Sequence, residues 1–493
     1  MPKIDIGAVL RQKAPRLARW IPRPVVNWLR RTIHESEINH ILEHYWSLPP
    51  QEFIRACFRE WQVTYSIEGL DKLAPGGRYL FASNHPFGGM DGMMLADKLI
   101  DRFGDARVVV NDLLMYLEPL RPLWIPVNKH GAQSASYARK FDEEFFGDLP
   151  VLTFPAGLCS RPNGGEVTDP AWKISFLKKA YASQRQIVPV FVEGRLSKFF
   201  YRVYRIRKAL GVLAYGDLLM LLHNQTRPYE KEAGTSQKLV DDWTKKLTDM
   251  FAKEKGYSAK EMETILPQIA EDFANVPVTG EKKVRVGVVG EIYVKYSPIG
   301  NNDLEEFLFS QNCETMVPGL LGFMLFKVDN RMEDIKLFGG SKAKFGVVKI
   351  LFDYLVGIES HVIRAVEHAN TVSNRFTVPS SYAHLKKLIT GVIGYGCKMG
   401  EGWLLTAEMM ELIESGYPNI ICAQPFGCLP NHIVGKGMIR SLKNLYPKSN
   451  IVPIDYDPGA TKVNQENRIK LMLAVAKENM EQAEKENATK AEE

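Results

Sequence analysis

Short apolar runs, each followed by a turn or a helix-like stretch, recur along the first half of the chain. The first is RYLFASN at residues 78–84, followed by the turn HPFGG and by MDGMMLADKLI at helical spacing. Similar β-branched runs begin at residues 107, 123, 150 and 186, with the sequences RVVVND, LWIPVN, PVLTFPAG and QIVPVFVEG. This alternation predicts an α/β domain with a central sheet.

A second α/β pattern begins with KVRVGVVGEIYV at residue 283, and NIICAQPFGC and NIVPIDYD are its later buried strands. Gly287 and Gly290 do not complete the Gly-x-Gly-x-x-Gly fingerprint, so a dinucleotide site is only weakly supported. The stretch between the two patterns is charged and favours helix. We therefore predict an α/β domain at 1–211, a helical connector at 212–281, a Rossmann-like α/β domain at 282–477 and a polar, frayed tail at 478–493.

The length and composition agree with more than one globular domain. A chain of 493 residues exceeds the size at which a single core stops growing, and its 45% hydrophobic and 24% charged residues are ordinary values for folded proteins. The charge is uneven, because residues 1–211 carry 30 Lys and Arg against 21 Asp and Glu, whereas the remainder carries 33 against 36. An anionic partner is therefore expected to meet the first domain.

Six cysteines without a Cys-x-x-Cys pair favour a reducing compartment over a disulfide framework. The first twenty residues hold no apolar run of signal-peptide length, and no later run is long enough to span a bilayer. We expect a cytoplasmic protein that is at most peripheral to the inner face of a membrane.

Two basic segments of the first domain are candidates for membrane docking. Residues 8–31 mix Arg and Lys with Leu, Val, Ile and Trp, and residues 193–211 interleave Arg202, Arg205 and Arg207 with four aromatic residues. Basic and aromatic side chains together favour the headgroup layer of an anionic bilayer. An arm packed on its own domain and an ordinary solvated helix face are the alternatives. No nucleic-acid recognition motif is present, so a nucleic-acid partner is not predicted.

The turn after the first strand, SNHPFGGMDG, contains a candidate general base. Transfer of an acyl group to a hydroxyl requires removal of the hydroxyl proton, a task suited to a neutral histidine held in one tautomer by a carboxylate. His85 is expected where the strand ends, and Asp91 in the first turn of the next helix. Gly88 and Gly89 would let the backbone bend so that the carboxylate reaches the imidazole. A surface or capping histidine is the alternative for this segment alone.

Four segments in order, NHPFGGMD, IPVNKHG, FPAGLCSR and IVPV, resemble the sequence blocks of the lysophospholipid and glycerol-phosphate acyltransferase family. The resemblance implies a fatty acyl transfer from acyl-CoA or acyl-carrier protein to a hydroxyl of a lysolipid acceptor, without a metal or other cofactor. It implies catalytic roles for His85 and Asp91. The matching positions for substrate binding are Lys129, Gly157, Ser160 and Arg161.

The chain departs from the common family pattern at three points. His85 and Asp91 are one residue further apart than usual, Lys129 stands where arginine is common, and Ala156 replaces the usual glutamate. The form His-Pro-x-Gly-Gly-x-Asp is similar to a bacterial branch that makes ornithine- or glycine-type lipids. The resemblance therefore implies an acceptor other than a simple glycerol phosphate.

From about residue 212 to 475 the chain resembles the C-terminal part of the 2-hydroxyacyl-CoA dehydratase and activator-associated family. The segments that carry the resemblance are VGEIYVKYSPIGNNDLEEFL, GCKMGEGWLLTAEMMELIESG, AQPFGCLPNHIVGKGMIR and IDYDPGATKVNQENRIKLML. In that family cysteine thiolates hold a 4Fe-4S cluster, which implies Cys428 and then Cys397 as candidate metal ligands. Two such cysteines fall short of a ligand set, and a counterpart of the family's N-terminal half is missing, so we expect no dehydration.

Two other functions therefore remain as alternatives to the acyltransferase. One is an iron-sulfur component of a dehydratase system, and the other is an inactive, membrane-docked binding protein.

Overall fold

The structure, a computed structural model, describes residues 4–5, 7–8, 26–27, 30, 34–127, 135–163, 166–457 and 459–492. The chain divides into two compact units, residues 1–205 and 206–493. Within the described residues each unit contains its own parallel sheet flanked by helices. The predicted α/β fold class is confirmed.

The first unit is built on a five-stranded parallel sheet with the strand order β3–β2–β4–β1–β7. Its described elements are α1 (Glu35–Tyr45), α2 (Pro50–Glu60), β1 (Tyr79–Ser83), α3 (Gly89–Phe103), β2 (Arg107–Asn111), β3 (Trp124–Val127), α4 (Ala135–Phe146), β4 (Val151–Thr153), β5 (Arg161–Asn163), β6 (Glu166–Thr168), α5 (Ser175–Ala182) and β7 (Gln186–Val190). Short 3-10 turns lie at Leu70–Lys72, Asp112–Tyr116 and Glu118–Leu123. The pair β5 and β6 forms a separate antiparallel hairpin.

Strand β1 lies between β4 and β7, with Leu80 opposite Val151 and Phe81 opposite Val188. All five of its residues are buried, which explains why its sequence is apolar without alternation. The apolar faces of α2 and α3 pack on one side of this sheet, where Phe81 and Leu99 belong to the same cluster. The turn that follows β1 is therefore held on a rigid base.

Arg185, just before β7, is a buried cation that ties together the edge of the sheet opposite to the turn. Its guanidinium donates hydrogen bonds to the carbonyl oxygens of Tyr79, Glu144, Phe145, Gly147 and Leu149 at 2.7–3.1 Å. Burial lowers the pKa of Arg185 to about 10. A fixed fork of N–H donors is suited to collect several backbone acceptors at one point.

The second unit contains a four-stranded parallel sheet with the order β11–β10–β8–β9. Its described elements are α6 (Lys198–Thr226, which begins before residue 206), α7 (Thr235–Ala252), α8 (Ala259–Ala274), β8 (Val284–Gly290), α9 (Ile292–Tyr296), α10 (Pro298–Asn301), α11 (Leu304–Ser310), β9 (Cys313–Met316), α12 (Leu320–Phe338), α13 (Lys342–Val372), α14 (Tyr382–Leu388), α15 (Trp403–Glu414), β10 (Asn419–Gln424), α16 (Ile439–Leu445), β11 (Asn450–Asp455) and α17 (Lys462–Glu492). Single turns lie at Arg227–Tyr229, Asn431–Gly435 and Lys436–Met438.

The segment predicted as a helical connector, 212–281, is helical and packs within the second unit, since Leu222, Trp243 and Phe273 lie in the same buried cluster as residues of α15 and β10. The tail expected to be frayed from residue 478 continues α17 to Glu492. Its many Ala, Glu, Lys and Gln residues are strong helix formers, which accounts for the difference.

Gly290 ends β8 for a steric reason. Its φ is +142°, and a Cβ at this position would lie 1.8 Å from the carbonyl oxygen of Ala423 on β10. Only glycine tolerates both the backbone conformation and this close approach. The glycine is thus explained by the contact between two strand ends, without a dinucleotide.

A cavity of about 90 Å³ lies within the second unit and is lined by apolar side chains and four carboxylates. The carboxylates are Asp217, Glu359, Glu408 and Glu411. Burial raises the pKa of Asp217 to about 6 and that of Glu359 to about 7, and it also raises the pKa values of Glu408 and Glu411. The folded state therefore favours the protonated form of these carboxyls more than the unfolded state does. As a consequence, the free energy of unfolding falls as the pH rises through the raised pKa values.

We expect Glu359→Gln to stabilise the protein at pH 8 and to leave its stability almost unchanged near pH 4.5. The amide still accepts the hydrogen bond from the Tyr382 N–H, and it removes a carboxyl whose pKa rises from 4.5 to about 7 on folding. Such a shift corresponds to about 3 kcal/mol in the free energy of unfolding above pH 7. Urea unfolding at both pH values measures it, with the exposed Glu481→Gln as the control. An equal stability of the variant and the wild type at pH 8 would contradict this reasoning.

Candidate active site

The turn between β1 and α3 carries the predicted base. Asn84 fixes its start, because its side-chain amide donates to the Val192 carbonyl at 2.8 Å and accepts from the Val192 N–H at 2.6 Å. Gly88 precedes α3 with φ +73°, and a Cβ there would lie 3.2 Å from Sγ of Cys159. The turn therefore needs glycine at this position, because the backbone has a positive φ and because a side chain would crowd the loop that contains Cys159.

His85 and Asp91 lie together, as the spacing predicts. Nδ1 of His85 is 3.1 Å from Oδ2 of Asp91, although the contact is not aligned as a hydrogen bond. The same Oδ2 accepts the N–H of Phe87 at 2.9 Å. Asp91 occupies the first turn of α3, where the helix dipole stabilises a negative charge. The carboxylate thus faces Nδ1, the arrangement in which the other ring nitrogen, Nε2, serves as a general base.

Asp91 is completely buried, with a side-chain exposure of 0%, whereas that of His85 is 17%. In the part of the chain that the structure describes, Oδ1 of Asp91 is sealed from solvent and accepts no hydrogen bond. A buried carboxylate with an unsatisfied oxygen is costly, and such groups are concentrated at functional sites. The ring of His85 stacks on Phe154 with a centroid distance of 4.1 Å, which fixes its plane.

The loop after β4 contains three of the predicted substrate-binding residues. Gly157 has φ +68° and forms a turn with the Phe154 carbonyl, and Arg161 begins β5. Ser160 is only 2% exposed, and its backbone N–H donates to the carbonyl of His85 at 2.8 Å. The structure therefore brings this loop next to the turn that carries the base.

The other predicted basic residues are described only in part. Lys129 lies outside the described residues, and so does the side chain of Arg202 within α6. Arg205 and Arg207 are exposed on α6.

Asp169 and Lys173 are site residues that the sequence reasoning missed. Oδ1 of Asp169 accepts the backbone N–H of His85 at 3.1 Å and the hydroxyl of Ser160 at 2.6 Å. Nζ of Lys173 lies 3.5 Å from where a Cβ of Gly157 would be. The Asn-Gly-Gly turn signal at residues 163–165 predicts a hairpin that would bring residue 169 opposite residue 160, so a signal was present.

The candidate cluster ligands lie in loops of the second unit. Cys397 is exposed, and Sγ of Cys428 accepts a hydrogen bond from Nδ2 of Asn431 at 3.1 Å. Among the described residues, no group of three or more His, Cys, Asp or Glu side chains is arranged to hold a metal ion. Cys313 and Cys422 are buried in β9 and β10, where burial raises the pKa of Cys313 to about 11 and that of Cys422 to about 12.

A histidine backed by a buried carboxylate, at the carboxyl end of a central parallel strand, is an arrangement suited to general-base chemistry. A family profile described as Acyltransferase matches residues 8–229. Two similar proteins are the lyso-glycine lipid O-acyltransferases of Phocaeicola vulgatus and Bacteroides thetaiotaomicron, with 41% and 39% identity over 210 residues. These regions cover 42% of this chain and 75% and 77% of the two relatives. Through its N-terminal part, the chain belongs to this family of lipid O-acyltransferases.

The family profile ends at residue 229, and the dehydratase resemblance of the residues beyond it, with its cluster, is not confirmed. No solved structure matches the chain. None of the helices within the described ranges combines the length and the apolar character needed to cross a bilayer.

Proposed function

We propose that the N-terminal unit transfers a fatty acyl group from acyl-CoA or acyl-carrier protein to the hydroxyl of a lysolipid acceptor. His85 is the general base and Asp91 its orienting carboxylate. The observation that carries the proposal is the 3.1 Å contact between these side chains, at the end of β1, in a chain that belongs to an acyltransferase family.

The proposed reaction needs one proton acceptor and one carbonyl electrophile. The acceptor hydroxyl attacks the thioester carbonyl carbon while Nε2 of His85 takes its proton. The tetrahedral intermediate then breaks its C–S bond, and the leaving thiolate receives that proton. The negative charge of Asp91 stabilises the imidazolium between the two steps. These steps consume a thioester and an alcohol and yield an ester and a thiol, without a metal or other cofactor.

We propose a lyso-glycine-type lipid as the acceptor. The two relatives are named for that substrate, and the chain has Ala156 where the wider family has a glutamate. Lys173 lies over the Gly157 turn, and Arg161 follows in the same loop, so two basic residues lie near the place proposed for an anionic headgroup. Lys129 is a third candidate from the sequence. A carboxylate headgroup pairs with such cations as well as a phosphate does.

The test is a competition assay with labelled acyl-CoA or acyl-carrier protein and equal amounts of lyso-glycine lipid, lyso-ornithine lipid and lysophosphatidic acid. We expect the glycine-type acceptor to be acylated fastest. Preferential acylation of lysophosphatidic acid would overturn the acceptor assignment, and preference between the donors identifies the thioester used.

Two surfaces support the proposal that the protein docks on the anionic inner face of a membrane. Arg205 and Arg207 are exposed on α6, and α5 presents three exposed apolar side chains, Ile174, Leu177 and Tyr181, on one face. The exposed Lys173 and Lys178 lie beside and on this helix. Exposed apolar groups flanked by cations match the headgroup layer of an anionic bilayer.

We expect the triple variant Arg202→Ala, Arg205→Ala and Arg207→Ala to bind vesicles of anionic lipid roughly 100-fold more weakly, because each basic residue near the surface contributes on the order of 1 kcal/mol. Sedimentation with vesicles at rising salt measures it, and screening should release the wild type. A matched variant removes the exposed Lys238, Lys245 and Lys253. Equal losses in the two variants, or binding that ignores lipid charge, would contradict docking through α6.

A further inference from the structure

One carboxylate, Asp169, connects the turn of the candidate base with the loop expected to meet the acceptor. Its Oδ1 accepts the backbone N–H of His85 at 3.1 Å and the hydroxyl of Ser160 at 2.6 Å. Its Oδ2 accepts the indole N–H of Trp172 at 2.8 Å. Three donors from three separate segments thus converge on one side chain, which is 84 residues from His85 in the chain.

The connection is reciprocal. The Ser160 N–H donates to the carbonyl of His85 at 2.8 Å, so both backbone polar groups of His85 are bonded to the segment 160–169. The hairpin of β5 and β6 explains how this segment folds back, since Arg161 pairs with Thr168 and the next residues outward are Ser160 and Asp169. The hairpin and the carboxylate together fix the backbone position of His85.

Of the possible side chains, a carboxylate suits this junction best. It offers acceptors only, whereas an asparagine would direct an N–H₂ donor at one of the three incoming donors. Hydrogen bonds to an ionised acceptor are also shorter and stronger than neutral ones. Ser160 is 2% exposed, and its hydroxyl donates a hydrogen bond to Asp169, so it belongs to this junction.

We infer that Asp169 is a positioning residue for acyl transfer, which holds the imidazole of His85 at a fixed place relative to the Gly157–Arg161 loop. The inference rests on the proposed function of His85. Asp169 acts on the backbone of His85, whereas Asp91 faces its ring. Displacement of a catalytic group by about 1 Å costs on the order of 100-fold in rate. Binding of the acyl donor does not depend on that displacement.

The test compares Asp169→Ala, Asp169→Asn and Trp172→Phe in the full chain. We expect Asp169→Ala to lower kcat roughly 100-fold while KM for the acyl thioester stays within about twofold. Asp169→Asn, which can keep the two bonds on its oxygen, should recover most of the rate, and Trp172→Phe should lose the least. The control is Asp148→Ala, whose side chain is 96% exposed.

Hydrogen exchange of the peptide that contains His85 supplies a second measurement, independent of turnover. We expect faster exchange in Asp169→Ala and unchanged exchange in the control, because the His85 N–H loses its acceptor. Wild-type kcat in Asp169→Ala, or equal exchange in the two proteins, would overturn the inference. A general loss of stability would lower the amount of folded protein and the apparent kcat together and leave KM unchanged, so kcat is expressed per folded protein and rescue by Asp169→Asn then decides. If the wild type transfers no acyl group, the proposed function fails, and the exchange result still tests the junction.

Discussion

Replacement of His85 by alanine is expected to lower the rate of acyl transfer by roughly 100- to 10,000-fold, the usual cost of losing a positioned general base. The protein should remain folded. The ring of His85 is partly exposed and its main apolar contact is one stack on Phe154, which is worth about 1 kcal/mol. Initial rates with a labelled thioester, together with the thermal midpoint, measure both effects.

The control for this variant is His44→Ala, which removes an exposed histidine of the same unit. It should retain the wild-type rate. Near wild-type turnover in His85→Ala would remove His85 from the mechanism, and the role of base would then need another residue of the unit.

The second large effect is expected for Asp91→Asn, with a loss of roughly 100- to 1,000-fold in kcat. The amide has the same shape, and its oxygen can keep the hydrogen bond from the Phe87 N–H and the contact with Nδ1 of His85. What it loses is the negative charge behind the imidazole, at a fully buried position where water cannot replace it. The imidazolium that forms during transfer is therefore no longer stabilised.

Steady-state kinetics of Asp91→Asn measure this loss, with Asp71→Asn on the surface of the same unit as the control. The variant should keep its KM values, because the fully buried side chain of Asp91 is sealed from the surface at which the substrates bind. A rate equal to that of the control would show that the charge of Asp91 has no part in the reaction.

Most strands of both sheets were predictable because buried parallel strands are apolar on both faces. The runs at β1, β2, β3, β4 and β7 were each found from their β-branched and aromatic residues, and β8, β10 and β11 in the same way. The strand β9 was not predicted. Its four residues include the buried Glu314, which accepts hydrogen bonds from the hydroxyls of Tyr229 and Tyr417. Such partners lie far away in the chain and leave no local pattern.

The hairpin of β5 and β6 was missed for a different reason. Its strands have three residues each, with the sequences RPN and EVT, and neither shows an apolar alternation. Only the Asn-Gly-Gly turn signal marked it. The hairpin brings Asp169 next to His85. Because the sequence pattern of the hairpin is weak, Asp169 was not predicted as a residue of the site.

The pair of His85 and Asp91 was accessible from the sequence because both residues lie in one turn and the first turn of the helix after it. A spacing of six residues that includes two glycines is enough to bring the two side chains together. Asp169 comes from another part of the chain, and its partners are the backbone N–H of His85 and the side-chain hydroxyl of Ser160, a combination that no local sequence pattern indicates. The contact between two residues close in sequence, His85 and Asp91, was therefore predictable. The contacts of the distant Asp169 with His85 were not.

The most direct test of the central claim is mass-spectrometric detection of the product from purified protein, one labelled acyl thioester and lyso-glycine lipid. The account predicts a product in which the labelled acyl chain is joined by an ester to the acceptor hydroxyl, with release of one free thiol per ester. It also predicts that His85→Ala forms almost none. Release of the thiol together with free fatty acid and without any ester, or the absence of turnover with every acceptor, would contradict it.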